Sequence, residues 1–225
     1  MENKRYLVTG GSSGTGRATA LKLTRGGANV VIWGRKAEKL QAAVDEGVAL
    51  SFTCVDVANP DLVEKGFRGL EDEGIQLDGV VHAAGIWTAG YLHEVSTDIL
   101  VRHIAGIVTG ATLVARRAVI HMQDTPGDII MIAAASGKAG YPDTALNILA
   151  KRAVDGLQDG LSRELMGSSV RVSTIYPDSI SAADGKSVAS GKSMRYEDVA
   201  ETVCFILNSS RTVKIREVLL TAPNA

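Results

Sequence analysis

The sequence predicts an α/β fold, a single domain over residues 1–225 wound on both faces of a parallel sheet of about seven strands. Three observations carry this reading. Apolar runs of strand length recur without polar alternation, as in YLV at 6–8, NVVIW at 29–33 and DIIMIA at 128–133. Such runs belong to strands buried on both faces. Segments of helical period separate these runs, as parallel crossovers require. The first run also opens into a glycine-rich loop that leads directly into a good helix former, RATALKL at 17–23. A chain of 225 residues is long enough for one sizeable core.

The elements follow in order. Residues 6–8 form the first strand, 10–16 the glycine loop and 17–23 the first helix. Strands are predicted at 29–33, 48–54, 78–83, 128–133, 170–175 and 215–220. Helices are predicted at 36–44, 60–70, 97–122, 142–165 and 196–207, the second and fourth of these beginning at Pro60 and Pro142. Right-handed crossovers make this a Rossmann-like doubly wound fold, whose ligand lies at the carboxyl ends of the strands near the switch point.

Composition narrows the function classes. The net charge is −1, with 45% hydrophobic and 22% charged residues, so nothing points to nucleic acid or an anionic membrane. No apolar run is read as long enough to cross a bilayer. The N-terminal MENKRYLV runs into a strand and is not read as a signal peptide. Cys54 and Cys204 are read as two reduced core thiols, with no disulfide framework and no metal-ligand spacing. A cytoplasmic location is the expectation.

The glycines are spaced Gly10-x3-Gly14-x-Gly16. A strand, a glycine loop and a helix in that order aim backbone N–H groups at a helix N-terminus, where a pyrophosphate binds. Gly10, Ser12, Ser13, Thr15 and Gly16 are the loop's cofactor-binding candidates. The second strand ends in Gly34-Arg35-Lys36, where an acidic residue would favour a free ribose hydroxyl. A guanidinium grips a phosphate instead, so Arg35 and Lys36 favour NADP(H) over NAD(H); the plainer alternative is a solvated helix start.

With Thr9, the loop resembles the TGxxxGxG motif of the short-chain dehydrogenase/reductase (SDR) family. The resemblance covers about residues 5–222. Asp56-Val57 matches the family's pair at the adenine ring, or else caps the helix at Pro60. His82-Ala83-Ala84-Gly85 resembles the family's Asn-Asn-Ala-Gly, with His82 read as a packed strand residue and Ala83, Ala84 and Gly85 beside the cofactor. Tyr176-Pro177-Asp178 stands where the family has Pro-Gly at the nicotinamide, and Pro177, Asp178 and Ile180 join the cofactor contacts.

In the catalytic half the pattern breaks. The family uses Asn, Ser, Tyr and Lys to move a proton while the cofactor moves hydride. Ile132-Ala-Ala-Ala-Ser-Gly137 puts Ala134 at the serine position, Asn147-Ile-Leu-Ala-Lys151 puts Asn147 at the tyrosine, and His103-Ile-Ala-Gly106 puts His103 at the asparagine. Lys151 alone is retained, one helical turn from Asn147, and it also counts as a ribose contact. An amide cannot release a proton at useful pH, and losing a general acid costs about 10²–10⁴ in rate. Lys151, His103, Asn147 and Tyr141 are the catalytic candidates, with Asp178 a possible base.

The resemblance therefore implies an NADP(H)-dependent oxidoreductase with a non-standard proton donor, or a substrate such as an enone or iminium that needs none. The alternative is a nucleotide-binding SDR-like protein without redox turnover: a regulator, a pseudoenzyme, or a catalyst of isomerisation or cyclisation. A small-molecule substrate, no nucleic-acid or membrane partner, and a homodimer or homotetramer through the two long helices complete the expectation. The stretch SAADGKSVASGKS after Ser179 stands where the family has its substrate lid.

Overall fold

The computed structural model describes residues 1–137, 143–181 and 185–224. Its strands are β1 (Arg5–Thr9), β2 (Asn29–Gly34), β3 (Ser51–Cys54), β4 (Gly79–His82), β5 (Gly127–Ile132), β6 (Val170–Pro177) and β7 (Glu217–Leu220). The helices are α1 (Gly14–Arg25), α2 (Ala37–Asp45), α3 (Pro60–Asp72), α4 (Thr97–Ile104), α5 (Gly110–His121), α6 (Ala145–Glu164), α7 (Gly185–Ala189) and α8 (Tyr196–Asn208). All seven strands run parallel in the order β3-β2-β1-β4-β5-β6-β7. The chain reaches one edge at β3 and returns to the middle at β4, so β1 and β4 flank the switch point.

Strand alternation explains the two cores. Successive side chains point to opposite faces. Tyr6, Val8, Ile32, Val81 and Ile130 pack with Leu23 of α1, Leu40 of α2 and Val203 of α8. Leu7, Trp33, Val80, Ile129 and Met131 pack with Phe67 of α3, Val114 of α5 and Val154 of α6. Trp33 and Phe67 meet edge to face at a centroid separation of 5.1 Å and 78° between planes. The doubly wound Rossmann-like fold is therefore observed, with helices on both faces.

Three local readings are corrected. The third strand starts at Ser51 rather than at residue 48, and it is an edge strand paired only with β2. That position leaves Cys54 exposed, whereas Cys204 is buried; Cys54 is not a core thiol. The predicted helix over 97–122 is observed from Thr97 to His121, but a π-helical turn at Ala105–Thr109 separates α4 from α5. Within Thr97–His121 an 18-residue window reaches a mean hydropathy of 1.4, enough for a membrane span by length and composition alone. This stretch instead buries Ile107, Ala111, Val114 and Ala118 in the core. It also carries Arg117, only 7% exposed and ion-paired with Glu64 and Glu71 at 3.0 and 2.8 Å.

Candidate active site

The glycine loop is shaped by close approach. Gly10 has φ +69°, and a Cβ there would stand 2.9 Å from the Ala84 nitrogen. A Cβ on Gly16 would stand 2.3 Å from the Gly10 carbonyl oxygen. The loop thus folds onto itself and onto residues 83–84 at the end of β4. Thr9 ties the two strand ends together: its Oγ1 accepts the Ala84 N–H at 3.2 Å and lies 3.0 Å from His82 Nδ1. Ser13 is the N-cap of α1 yet makes no side-chain cap bond, and the first turn holds no acid. Orphan N–H groups and the positive end of the helix dipole remain for an anion. Ser12 and Thr15 are half-buried in this loop.

Around it, Ser12 Oγ lies 3.5 Å from where a Cβ of Gly34 would be, at the end of β2. Arg35 and Lys36 follow, both exposed, and neither pairs with an acid among the described residues. Lys36 is the N-cap of α2. Asp56 accepts the Ala58 N–H at 3.1 Å. The cap ahead of Pro60 is Asn59, which accepts the Leu62 N–H at 3.1 Å, so Asp56 is not the helix cap. Val57 is buried. Pro177 ends β6, the Asp178 N–H donates to the Leu220 carbonyl at 2.9 Å, and Ile180 pairs with Met194. A glycine cradle that a Cβ would fill, an unneutralised helix N-terminus and free cations beyond β2 fit a dinucleotide.

Lys151 stands on α6, at the end of β5. Its Nζ donates to the Ile132 carbonyl at 3.3 Å and lies 3.9 Å from where a Cβ of Gly85 would be. Burial lowers its pKa to about 8. Two imidazoles sense this ammonium. His82 is 5% exposed, and burial, then the Lys151 charge, lowers its pKa to about 3. His103 is fully buried, and the same two causes lower its pKa. Both rings are neutral near pH 7, and neither Nε2 has a partner among the described residues.

Asn147, one turn before Lys151, is 1% exposed. Its Oδ1 accepts the Thr88 N–H at 3.3 Å, and its Nδ2 donates to the Thr88 carbonyl. The Thr88 hydroxyl lies 2.9 Å from His103 Nδ1. Asn147, Thr88 and His103 therefore form one network that meets Lys151 through α6. The sequence reading missed Thr88: it lies 15 residues from His103 and 59 from Asn147, and only the folded chain brings them together. Ala134 is half-buried and carries no hydroxyl. The Ser136 hydroxyl is buried without a partner among the described residues. Tyr141 lies outside the described residues.

The arrangement offers one cationic proton donor, two neutral imidazoles and a backbone cradle for an anion. No group of three or more metal-ligating side chains occurs among the described residues.

Comparison with known proteins follows the same lines. A family model described as short chain dehydrogenase matches residues 4–192. Meso-2,3-butanediol dehydrogenase of Serratia marcescens is 28% identical over 221 residues, spanning 91% of this chain and 87% of that protein. The solved structure of a short-chain type dehydrogenase/reductase from Mycobacterium ulcerans superposes with a TM-score of 0.90 at 27% identity, covering 100% of this chain and 90% of that one. A short chain dehydrogenase from Burkholderia cenocepacia in complex with NADP gives a TM-score of 0.88 at 27% identity, covering 98% and 97% of the two chains.

Proposed function

Because the chain belongs to the short-chain dehydrogenase family, we propose that it is an NADP(H)-dependent oxidoreductase acting between a small carbonyl compound and its alcohol, with Lys151 as the proton donor. The bound nicotinamide would supply or accept the hydride. Gly10, Ser12, Ser13, Thr15 and Gly16 would hold the pyrophosphate at the α1 N-terminus. Arg35 and Lys36 would take the 2′-phosphate, and Asp56 and Val57 the adenine. Ala83, Ala84, Gly85, Pro177, Asp178 and Ile180 would line the nicotinamide half.

The observation that carries the reading is Lys151, half-buried at the end of β5 with a pKa of about 8. An ammonium in that range is mostly protonated at neutral pH and still acidic enough to yield its proton to an oxygen gaining negative charge. No phenol is needed for that step. After transfer the neutral amine regains a proton from water. The exposed apolar side chains Ile99 and Val101 on α4 and Leu149 on α6 support pairing of these helices between two copies of the chain.

One observation favours a second reading. The Asn147 amide is occupied at both ends by Thr88, so the family's tyrosine position has become a structural clamp. A nucleotide-binding protein without redox turnover would tolerate that change. NADPH binding, followed by its oxidation against a panel of ketones, aldehydes, enones and imines, separates the two. Binding with turnover of a carbonyl, abolished in Lys151→Met, is the expected result. Binding without oxidation by any member of the panel would transfer the assignment to the non-redox reading.

A further inference from the structure

We propose that His103 polarises the substrate oxygen through an Nε2–H donor, in a tautomer set by the Thr88 hydroxyl, which Asn147 holds in place. The inference rests on the redox reading above, and it assigns the task that Ala134 cannot perform.

Thr88 is fixed by its own peptide groups. Its N–H and its carbonyl both bond the Asn147 amide, so its side chain starts from a held backbone. The hydroxyl then meets His103 Nδ1 at 2.9 Å. Two proton arrangements satisfy that distance. If Nδ1–H donated to the hydroxyl oxygen, the Thr88 O–H would lack an acceptor among the described residues. His103 Nε2 would also be a buried acceptor without a donor. Two polar groups would be stranded. If the Thr88 O–H donates to Nδ1, only Nε2–H remains without a partner. An unsatisfied buried group costs about 1–3 kcal/mol, and the half-buried Thr88 O–H bears part of that, so the second arrangement is preferred. It leaves one buried donor, near enough to the Lys151 ammonium to feel its charge.

A neutral imidazole suits this task. It donates a hydrogen bond to an oxygen as charge develops but does not give up its proton, so it complements Lys151 rather than competing with it. Burial and the Lys151 ammonium both keep the ring uncharged. His103 touches the reacting oxygen in this scheme and is catalytic; Thr88 and Asn147 are positioning residues that act through it.

The test reads the tautomer directly. In ¹⁵N-labelled protein without ligand at pH 7.5, the His103 ring signals, identified by their loss in His103→Gln, should show hydrogen on Nε2 and a bare Nδ1. Thr88→Val should give a mixture or the reversed tautomer, and Thr88→Ser should restore the original one. Turnover of NADPH with the best carbonyl of the panel should fall about 10²–10³-fold in His103→Gln, with NADPH affinity unchanged. It should fall in Thr88→Val and recover in Thr88→Ser. Hydrogen on Nδ1, or a cationic ring, in wild-type protein that turns over would overturn the inference. Hydrogen on Nε2 in a protein that binds NADPH but oxidises it with no substrate would overturn the redox reading instead.

Discussion

The side-chain amide of Asn147 closes on both backbone polar groups of Thr88, accepting its N–H at 3.3 Å and donating to its carbonyl. The amide thus pairs with a peptide much as a neighbouring strand would. It anchors the loop after β4 to α6 at a buried point. Asn147→Ala should therefore lower stability by about 1–3 kcal/mol, because it leaves both groups of Thr88 without partners. Urea denaturation reads that loss. An unchanged midpoint with an unchanged slope would mean that the clamp contributes nothing.

Lys151 sets the pH dependence. Its pKa is lowered to about 8 from an ordinary 10.5. Carbonyl reduction uses the ammonium, so kcat/KM for reduction should be level below pH 8 and fall as one proton is lost above it. Alcohol oxidation uses the free amine and should rise through the same value. In Lys151→Met both limbs should vanish and the rate should drop about 10²–10⁴-fold. The substitution also removes a buried charge, so at pH 7 the variant should melt at a higher temperature than wild type. A limb at pH 8 that survives in Lys151→Met would assign the proton to another group.

The cofactor choice turns on Arg35. It is exposed, follows β2, and has no acidic partner among the described residues, and Ser12 Oγ lies close to Gly34 just before it. Removing a guanidinium from a phosphate costs about 1.5–3 kcal/mol, or roughly 10–100-fold in affinity. Arg35→Ala should weaken NADPH by that factor and leave NADH nearly unchanged. Fluorescence titration with the two cofactors measures it; equal weakening would remove the case for a 2′-phosphate contact.

Why some of this was legible beforehand follows from range. The inner strands β1, β2, β4, β5 and β6 are buried on both faces and announce themselves as unbroken apolar runs, and the glycine loop is a local pattern read within seven residues. Strand order is not local: β3 is an edge strand, which is why Cys54, apolar by its neighbours, is exposed. The site divides in the same way. Lys151 and Asn147 share a helix face and could be paired by spacing. Thr88 could not, because it joins α4 to α6 through a loop with no periodicity, and its partners lie 15 and 59 residues away. The π-helical turn after His103 was likewise invisible, since the apolar period of α4 and α5 reads as one helix.

His82 supplies an acid limb to stability. It is 5% exposed, with Nδ1 engaged by Thr9 at 3.0 Å, and its folded pKa is about 3 against 6.5 in its absence. Between those values the unfolded chain holds one proton that the folded chain refuses. Stability therefore rises with pH through this window and is lost as pH falls below 6.5, by about 1.4 kcal/mol per pH unit for one proton. His103, lowered by the same causes, adds in the same direction. In His82→Asn the ring is gone, so the dependence should flatten by one proton's slope whatever the variant's stability at pH 7. Urea midpoints at pH 7, 6, 5 and 4 for both proteins give the two slopes. Parallel lines would show that His82 accepts a proton in the folded chain as readily as in the unfolded one.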